Sequence, residues 1–93
     1  MTTPPDYELV VTPPARRSLP DTLPEPVAAA VIDFLTTALV VSPHRLGKPL
    51  RDNFAGIWSA RRGTYRVLYR INDAAREVIV LRVEHRRDAY RPM

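Results

Sequence analysis

Nine of the ten prolines of this 93-residue chain fall within residues 1–49, and the stretch from 50 to 91 holds none. Proline fixes φ and removes a backbone donor, so it is excluded from interior strands and confines uninterrupted sheet to the second half of the chain. The first half can then hold helices that begin at prolines and short segments between them. A chain of this length supports one hydrophobic core, so residues 1–93 are expected to form a single domain, with residues 1–6 (Met-Thr-Thr-Pro-Pro-Asp) as a flexible N-terminal tail.

The local patterns follow this division. Residues 7–12 (Tyr-Glu-Leu-Val-Val-Thr) read as a short first strand halted by Pro13 and Pro14. Thr12 as N-cap and Pro13 at the first helical position predict a short helix over 13–19, ended by Pro20. Over residues 24–40, Val27, Val31, Phe34, Leu35 and Ala38 recur at helical spacing and predict the main helix. Ser42-Pro43 ends it, and residues 42–53 are too rich in proline, glycine and charge to predict regular structure.

Residues 57–61, 65–71 and 78–84 are rich in β-branched and aromatic side chains and predict three antiparallel strands. If Gly63 and Thr64 form a two-residue turn, Arg61 faces Arg66, Ser59 faces Leu68, and Trp58 faces Tyr69 on the opposite side. Tyr65, Val67, Tyr69 and Ile71 then line a core face, Arg66 and Arg70 the other. The near-continuous apolar run from Val78 to Leu81 suits a central strand covered on both faces, with strand 1 beside it. The expected fold is therefore α+β: two N-terminal helices packed on a four-stranded, mostly antiparallel sheet, strand 1 running parallel to the last strand.

Charge is distributed unevenly. Residues 1–44 hold two arginines against five acids, whereas residues 45–91 hold twelve basic groups against five acids. Thirteen of the fourteen basic residues are arginine, whose planar fork pairs two phosphate oxygens and stacks on bases. Arginine-rich composition also follows from a GC-rich genome, and composition alone does not separate the two. No cysteine is present, and two histidines cannot build a metal site by themselves, so thiol chemistry is excluded and neither metal nor cofactor is expected. No apolar run spans a bilayer and no secretion signal is legible, so a cytoplasmic protein without membrane contact is expected.

A surface offering Arg61, Arg66, His85, Arg86 and Tyr90 has phosphate grips, one group titrating near neutrality and one phenol able to stack on a base or move a proton. Those functions suit metal-free RNA cleavage, in which the ribose 2′-OH attacks its own phosphate. Lys48, Arg51, Arg70 and Arg87 are candidates for further RNA contacts. Each has a plainer reading as well: strand arginines commonly form a solvated face, a terminal histidine or tyrosine commonly caps or packs on a sheet, and His44 is simply a connector residue.

Three segments, Gly47-Lys48-Pro49-Leu50-Arg51, Gly63-Thr64-Tyr65-Arg66-Val67-Leu68-Tyr69-Arg70-Ile71 and His85-Arg86-Arg87-Asp88-Ala89-Tyr90, resemble successive motifs of the RelE/ParE superfamily in order and spacing. The similarity spans roughly residues 7–91 and is greatest toward the RelE-like toxins of actinobacteria. It implies a ribosome-dependent endoribonuclease that cuts messenger RNA in the ribosomal A site. It also implies restraint by a cognate antitoxin, RelB-like or Phd/YefM-like, in an oligomeric complex. By position, Arg66 matches the family's strand arginine, Arg86 the arginine after the last strand, Tyr90 the C-terminal tyrosine and His85 a histidine of related toxins.

Two departures accompany the resemblance. The best-studied pattern has two lysines on the strand where Ile57 and Ser59 stand here, with Arg61 able to supply part of that charge. A subgroup uses a glutamate as base, without a clear counterpart among Asp52, Asp73 and Glu77. His85, whose reference pKa near 6.5 needs least tuning, is the expected proton-transfer group. Tyr90 is expected to stack on or orient the nucleotide. The alternative within the superfamily is a ParE-like, non-enzymatic inhibitor of DNA gyrase.

Overall fold

The computed structural model describes residues 6–85. Most of the expected N-terminal tail and the candidates Arg86, Arg87 and Tyr90 lie outside the described residues. The described residues fold into a five-stranded mixed sheet with three α-helices, where two helices and four strands are expected. The order across the sheet is β1-β5-β4-β3-β2, formed by Glu8–Val11 (β1), Lys48–Pro49 (β2), Trp58–Arg62 (β3), Tyr65–Asn72 (β4) and Glu77–His85 (β5). β1 is parallel to β5, as expected, and the other pairings are antiparallel.

The extra elements both arise in residues 42–53, where irregular structure was expected. Pro43–Leu46 forms α3, a single turn that proline at its start is suited to begin. Lys48–Pro49 then adds β2 at the sheet edge, where a residue without an N–H is tolerated. A 3₁₀ turn over Asp52–Phe54 returns the chain to β3.

Upstream, α1 (Pro13–Thr22) continues through Pro20 rather than ending before it. The proline lies in the last turns, where its missing N–H removes one helical hydrogen bond, and the longer helix delivers Leu23 into the core. Thr12 occupies the N-cap position but does not cap the helix. Its hydroxyl donates to the Val80 carbonyl at 2.8 Å, as does its backbone N–H at 3.1 Å, fastening the end of β1 to β5. The main helix is α2 (Glu25–Phe34), followed by a π-helical turn over Leu35–Leu39 rather than a regular helix to residue 40. Within it the hydroxyls of Thr36 and Thr37 donate back to the carbonyls of Ile32 and Asp33, a competition with the backbone ladder that widens helices.

The helices cover one face of the sheet. Val31, Phe34, Leu35 and Leu39 pack there with Ala60, Tyr65, Val67, Tyr69, Val78, Val80 and Val83. Tyr69 is fully buried and stacks on the half-buried Trp58, ring centroids 6.5 Å apart. The hairpin register is the expected one: Arg61 faces Arg66, Ser59 faces Leu68 and Trp58 faces Tyr69. Gly63 makes the turn possible at φ +59°, a conformation that other residues adopt only under strain. The opposite face of the sheet carries no helix among the described residues, which therefore cover β5 on one side only, and Ile79 is half-buried.

Candidate functional site

Strand alternation distributes the basic residues between the two faces. Tyr65, Val67 and Tyr69 point to the helices, so Arg66, Leu68 and Arg70 point away from them. Arg61 and Ser59 join them from β3, Lys48 from β2 opposite Ser59, and Arg82 and Glu84 from β5 opposite Leu68 and Arg66. The open face thus gathers Lys48, Arg61, Arg66, Arg70 and Arg82 on four adjacent strands. Arg61 and Arg70 are exposed and Arg66 is half-buried. Arg51 is exposed in the loop after β2, and the loop at Gly56 passes close to the Arg70 guanidinium.

Arg61 and Arg66 are direct cross-strand partners, an arrangement of like charges that costs stability unless an anion lies nearby. Glu84 supplies one. Arg66 donates to Oε1 of Glu84 from Nε, at 3.0 Å, and from Nη2. Arg82 approaches the other oxygen, with Nε 3.4 Å from Oε2. Neither Glu84 nor Arg82 was among the residues singled out from the sequence.

His85 does not share this face. It pairs with Tyr65, and directly opposed residues of an antiparallel pair project to the same side, which here is the helix side. His85 is expected on one surface with Arg61 and Arg66, whereas its pairing with Tyr65 sets it on the other. Arg62 is also on the helix side, its guanidinium 5.1 Å from the centre of the Phe34 ring. Both Arg62 and Phe34 line a cleft of about 510 Å³ between α2 with its π turn and the β3–β4 hairpin, together with Val27, Ala30, Ala38 and Tyr65.

At the other end of the sheet a second polar cluster joins three segments. Tyr7 donates to Asp73 at 2.5 Å, and His44 Nε2 lies 3.1 Å from the second carboxylate oxygen. The hydrogen bond from Tyr7 holds the Asp73 carboxyl below its ordinary range, with His44 adding to the effect, and the same bond pushes the Tyr7 phenol up. Arg76 lies over the Tyr7 ring at 4.2 Å, and the His44 ring meets Trp58 edge-on. This cluster fastens the entry to β1 and α3 to the β4–β5 turn. His44, expected to be a plain connector residue, is one of its members. Among the described residues no group of three or more His, Cys, Asp or Glu side chains could hold a metal ion, and no helix is long and apolar enough to cross a membrane.

Comparison with known proteins agrees with this architecture. Residues 9–90 match the model of the ParE toxin of the type II toxin–antitoxin system. The chain is 52% identical to Toxin RelG of Mycobacterium tuberculosis over 91% of its own length and 97% of that protein. It is 45% identical to Toxin RelE of the same organism over 91% and 87%. Among solved structures it superposes on a chain of the toxin–antitoxin complex RelBE2 from M. tuberculosis with a TM-score of 0.84 and 51% identity, over 87% of this chain and 99% of that one. The chain belongs to the RelE/ParE superfamily of type II toxins.

Proposed function

We propose that this toxin arrests translation by cutting messenger RNA on the ribosome, through attack of a ribose 2′-OH on the adjacent phosphate. The observation that carries the reading is the placement of Arg61 directly opposite Arg66 on a sheet face that no helix covers among the described residues. Two guanidinium groups held across a hairpin can bind the two non-bridging oxygens of one phosphodiester and stabilise the charge that builds on them during attack. That chemistry needs positive charge and proton transfer, and it proceeds without a metal or cofactor.

In this reading Arg86 completes the phosphate grip, while Lys48, Arg51, Arg70 and Arg87 follow the RNA backbone. Proton transfer is assigned to Tyr90 in preference to His85, because His85 leaves β5 on the side away from Arg61 and Arg66. Tyr90 is the other side chain of the set that can give up and take back a proton. The site of action is the ribosomal A site in the cytoplasm, which would supply the ordered messenger that the sheet face by itself does not.

The same face suits restraint by a cognate antitoxin in an oligomeric complex. A RelB-like or Phd/YefM-like segment carrying acidic residues would neutralise the arginines and block phosphate access. A relative of 51% identity has been solved as a toxin–antitoxin complex, which supports such a partner here.

One observation favours a second reading. Ile57 and Ser59 stand where the best-studied ribonucleases of the superfamily carry lysines, and neither is a cation. A ParE-like inhibitor of DNA gyrase would need no such groups. Mapping messenger 5′ ends after induction in bacteria, with an Arg66→Ala, Arg86→Ala double variant and a gyrase supercoiling assay in parallel, distinguishes the two. Codon-phased cuts that the double variant loses are the expected result. Intact messenger with inhibited supercoiling would reject the nuclease.

A further inference from the structure

We propose that Glu84 is a specificity-determining residue, a resident carboxylate that occupies the phosphate-gripping edge of Arg66 and yields it only to a well-placed phosphate. The inference rests on reading the open face as an RNA phosphate site. Arginine grips a phosphate best through the two N–H groups along one edge of its guanidinium plane. In this chain that edge is taken, since Nε and Nη2 of Arg66 both donate to Oε1 of Glu84.

Glu84 is the fixed member of the pair. Its side chain is 18% exposed against 39% for Arg66, and Arg82 secures its second oxygen from the flank. Solvent, and therefore a ligand, reaches the guanidinium more readily than the carboxylate. A phosphate arriving at Arg66 must exchange with an anion already in place, and it loses part of its binding free energy in doing so.

The exchange discriminates between RNAs. A loosely tracking backbone meets the exposed Arg61 and Arg70 but not the edge of Arg66, so it gains neither that hydrogen-bond pair nor the counterion release that accompanies it. A phosphate held in register by the rest of the site has several contacts to draw on and can displace the carboxylate. Glu84 thereby suppresses random RNA binding by a strongly basic chain and reserves Arg66 for the phosphate to be cut.

The test is binding of a short single-stranded 2′-O-methyl RNA, which cannot undergo 2′-OH attack, to the full chain. Fluorescence anisotropy across a salt series would compare wild type, Glu84→Gln, Arg66→Ala and the double variant, with folding checked by ¹H–¹⁵N spectra. Glu84→Gln should bind about tenfold more tightly, with a salt slope steeper by roughly 0.7, the increment for one more phosphate contact on a single strand. Adding Arg66→Ala should remove both gains. Unchanged or weaker binding by folded Glu84→Gln, or a gain that survives Arg66→Ala, overturns the proposal.

Should Glu84→Gln not fold, Glu84→Asp draws the carboxylate back by one methylene and should give a smaller gain of the same sign, and no gain would again overturn it. Cleavage of messenger by wild-type protein on translating ribosomes is scored separately. Tighter binding by Glu84→Gln with no wild-type cleavage rejects the nuclease while keeping the exchange at Arg66, and cleavage without tighter binding does the reverse.

Discussion

Arg66 faces Glu84 because β5 carries one residue more than β4 can pair. From the turn outward the ladder runs Asn72 with Glu77, Ile71 with Val78, Arg70 with Ile79 and Tyr69 with Val80. Continued evenly, it would set Val83 opposite Arg66 and Glu84 opposite the buried Tyr65. A bulge on β5, opposite the Leu68–Tyr69 step of β4, leaves Leu81 without a partner, after which Leu68 meets Arg82 and Arg66 meets Glu84. A one-residue slip exchanges the faces of a strand, so this bulge decides that the carboxylate lies with the arginines and Val83 in the core.

Two length variants of β5 should therefore behave differently. Deleting Leu81 removes the unpaired residue and keeps every pairing beyond it, so it should cost only about 1–2 kcal/mol, the burial of one half-exposed leucine. Inserting an alanine between Arg82 and Val83 sets Val83 against Arg66 and forces Glu84 opposite Tyr65, at a cost of roughly 3–5 kcal/mol for a buried carboxylate without its partner. Urea unfolding of both compares them directly. Equal destabilisation would mean that the bulge does not set the face.

Gly47 is required by the hydroxyl of Tyr69. A Cβ at position 47 would collide with the Tyr69 oxygen, which donates to the Pro43 carbonyl at 2.5 Å. Gly47→Ala should thus break that hydrogen bond and cost about 1–3 kcal/mol. Tyr69→Phe removes the atom that clashes, so the double variant should be more stable than the sum of the two single losses. Strict additivity in thermal or urea melts would place the strain elsewhere.

The two ends of the pH scale should report on different residues. The Asp73 carboxyl is held low by Tyr7 and then His44, so its contribution is complete above its ordinary value of 3.8 and is lost as pH falls further, through the lowered value. Burial pushes Tyr69 up to about 12, so its contribution is complete below pH 10 and declines as pH rises from 10 toward 12. Asp73→Asn should flatten the acid limb of a melting-temperature profile, and Tyr69→Phe the alkaline limb. A profile unmoved at its acid end by Asp73→Asn would show that the Tyr7–Asp73–His44 cluster does not couple to folding.

What could be read from the sequence depended on whether a local rule was enough. The Gly63-Thr64 turn fixes the β3–β4 register, so Arg61 opposite Arg66 followed from spacing. The partner of Arg66 on β5 did not, because it depends on a bulge at Leu81 that leaves no signature of its own in an apolar run. The position of His85 was lost for the same reason, since its face is decided by that bulge. Residues 42–53 looked irregular because their order is tertiary: a one-turn helix sealed by Tyr69 and a two-residue edge strand lie below the lengths that patterns detect. Propensity alone makes Pro20 a stop, whereas packing carries α1 past it to bring Leu23 into the core.

His85 and Arg66 leave the sheet on opposite faces, and their variants should part accordingly. With the scissile phosphate on the Arg61–Arg66 side, Arg66→Ala should lower messenger cleavage in a reconstituted translation system by about 10²–10³, the usual loss for one charge-stabilising donor. Tyr90→Phe should fall by roughly 10² or more if its phenol moves the proton. His85→Gln keeps the size and polarity of the imidazole without its titration, and it should stay within about fivefold of wild type with an unshifted pH–rate profile. A loss in His85→Gln as deep as that in Tyr90→Phe would put the imidazole at the reacting atoms. It would also require β5 to turn at its end so that residue 85 reaches the arginine face, reversing the assignment made from its pairing with Tyr65.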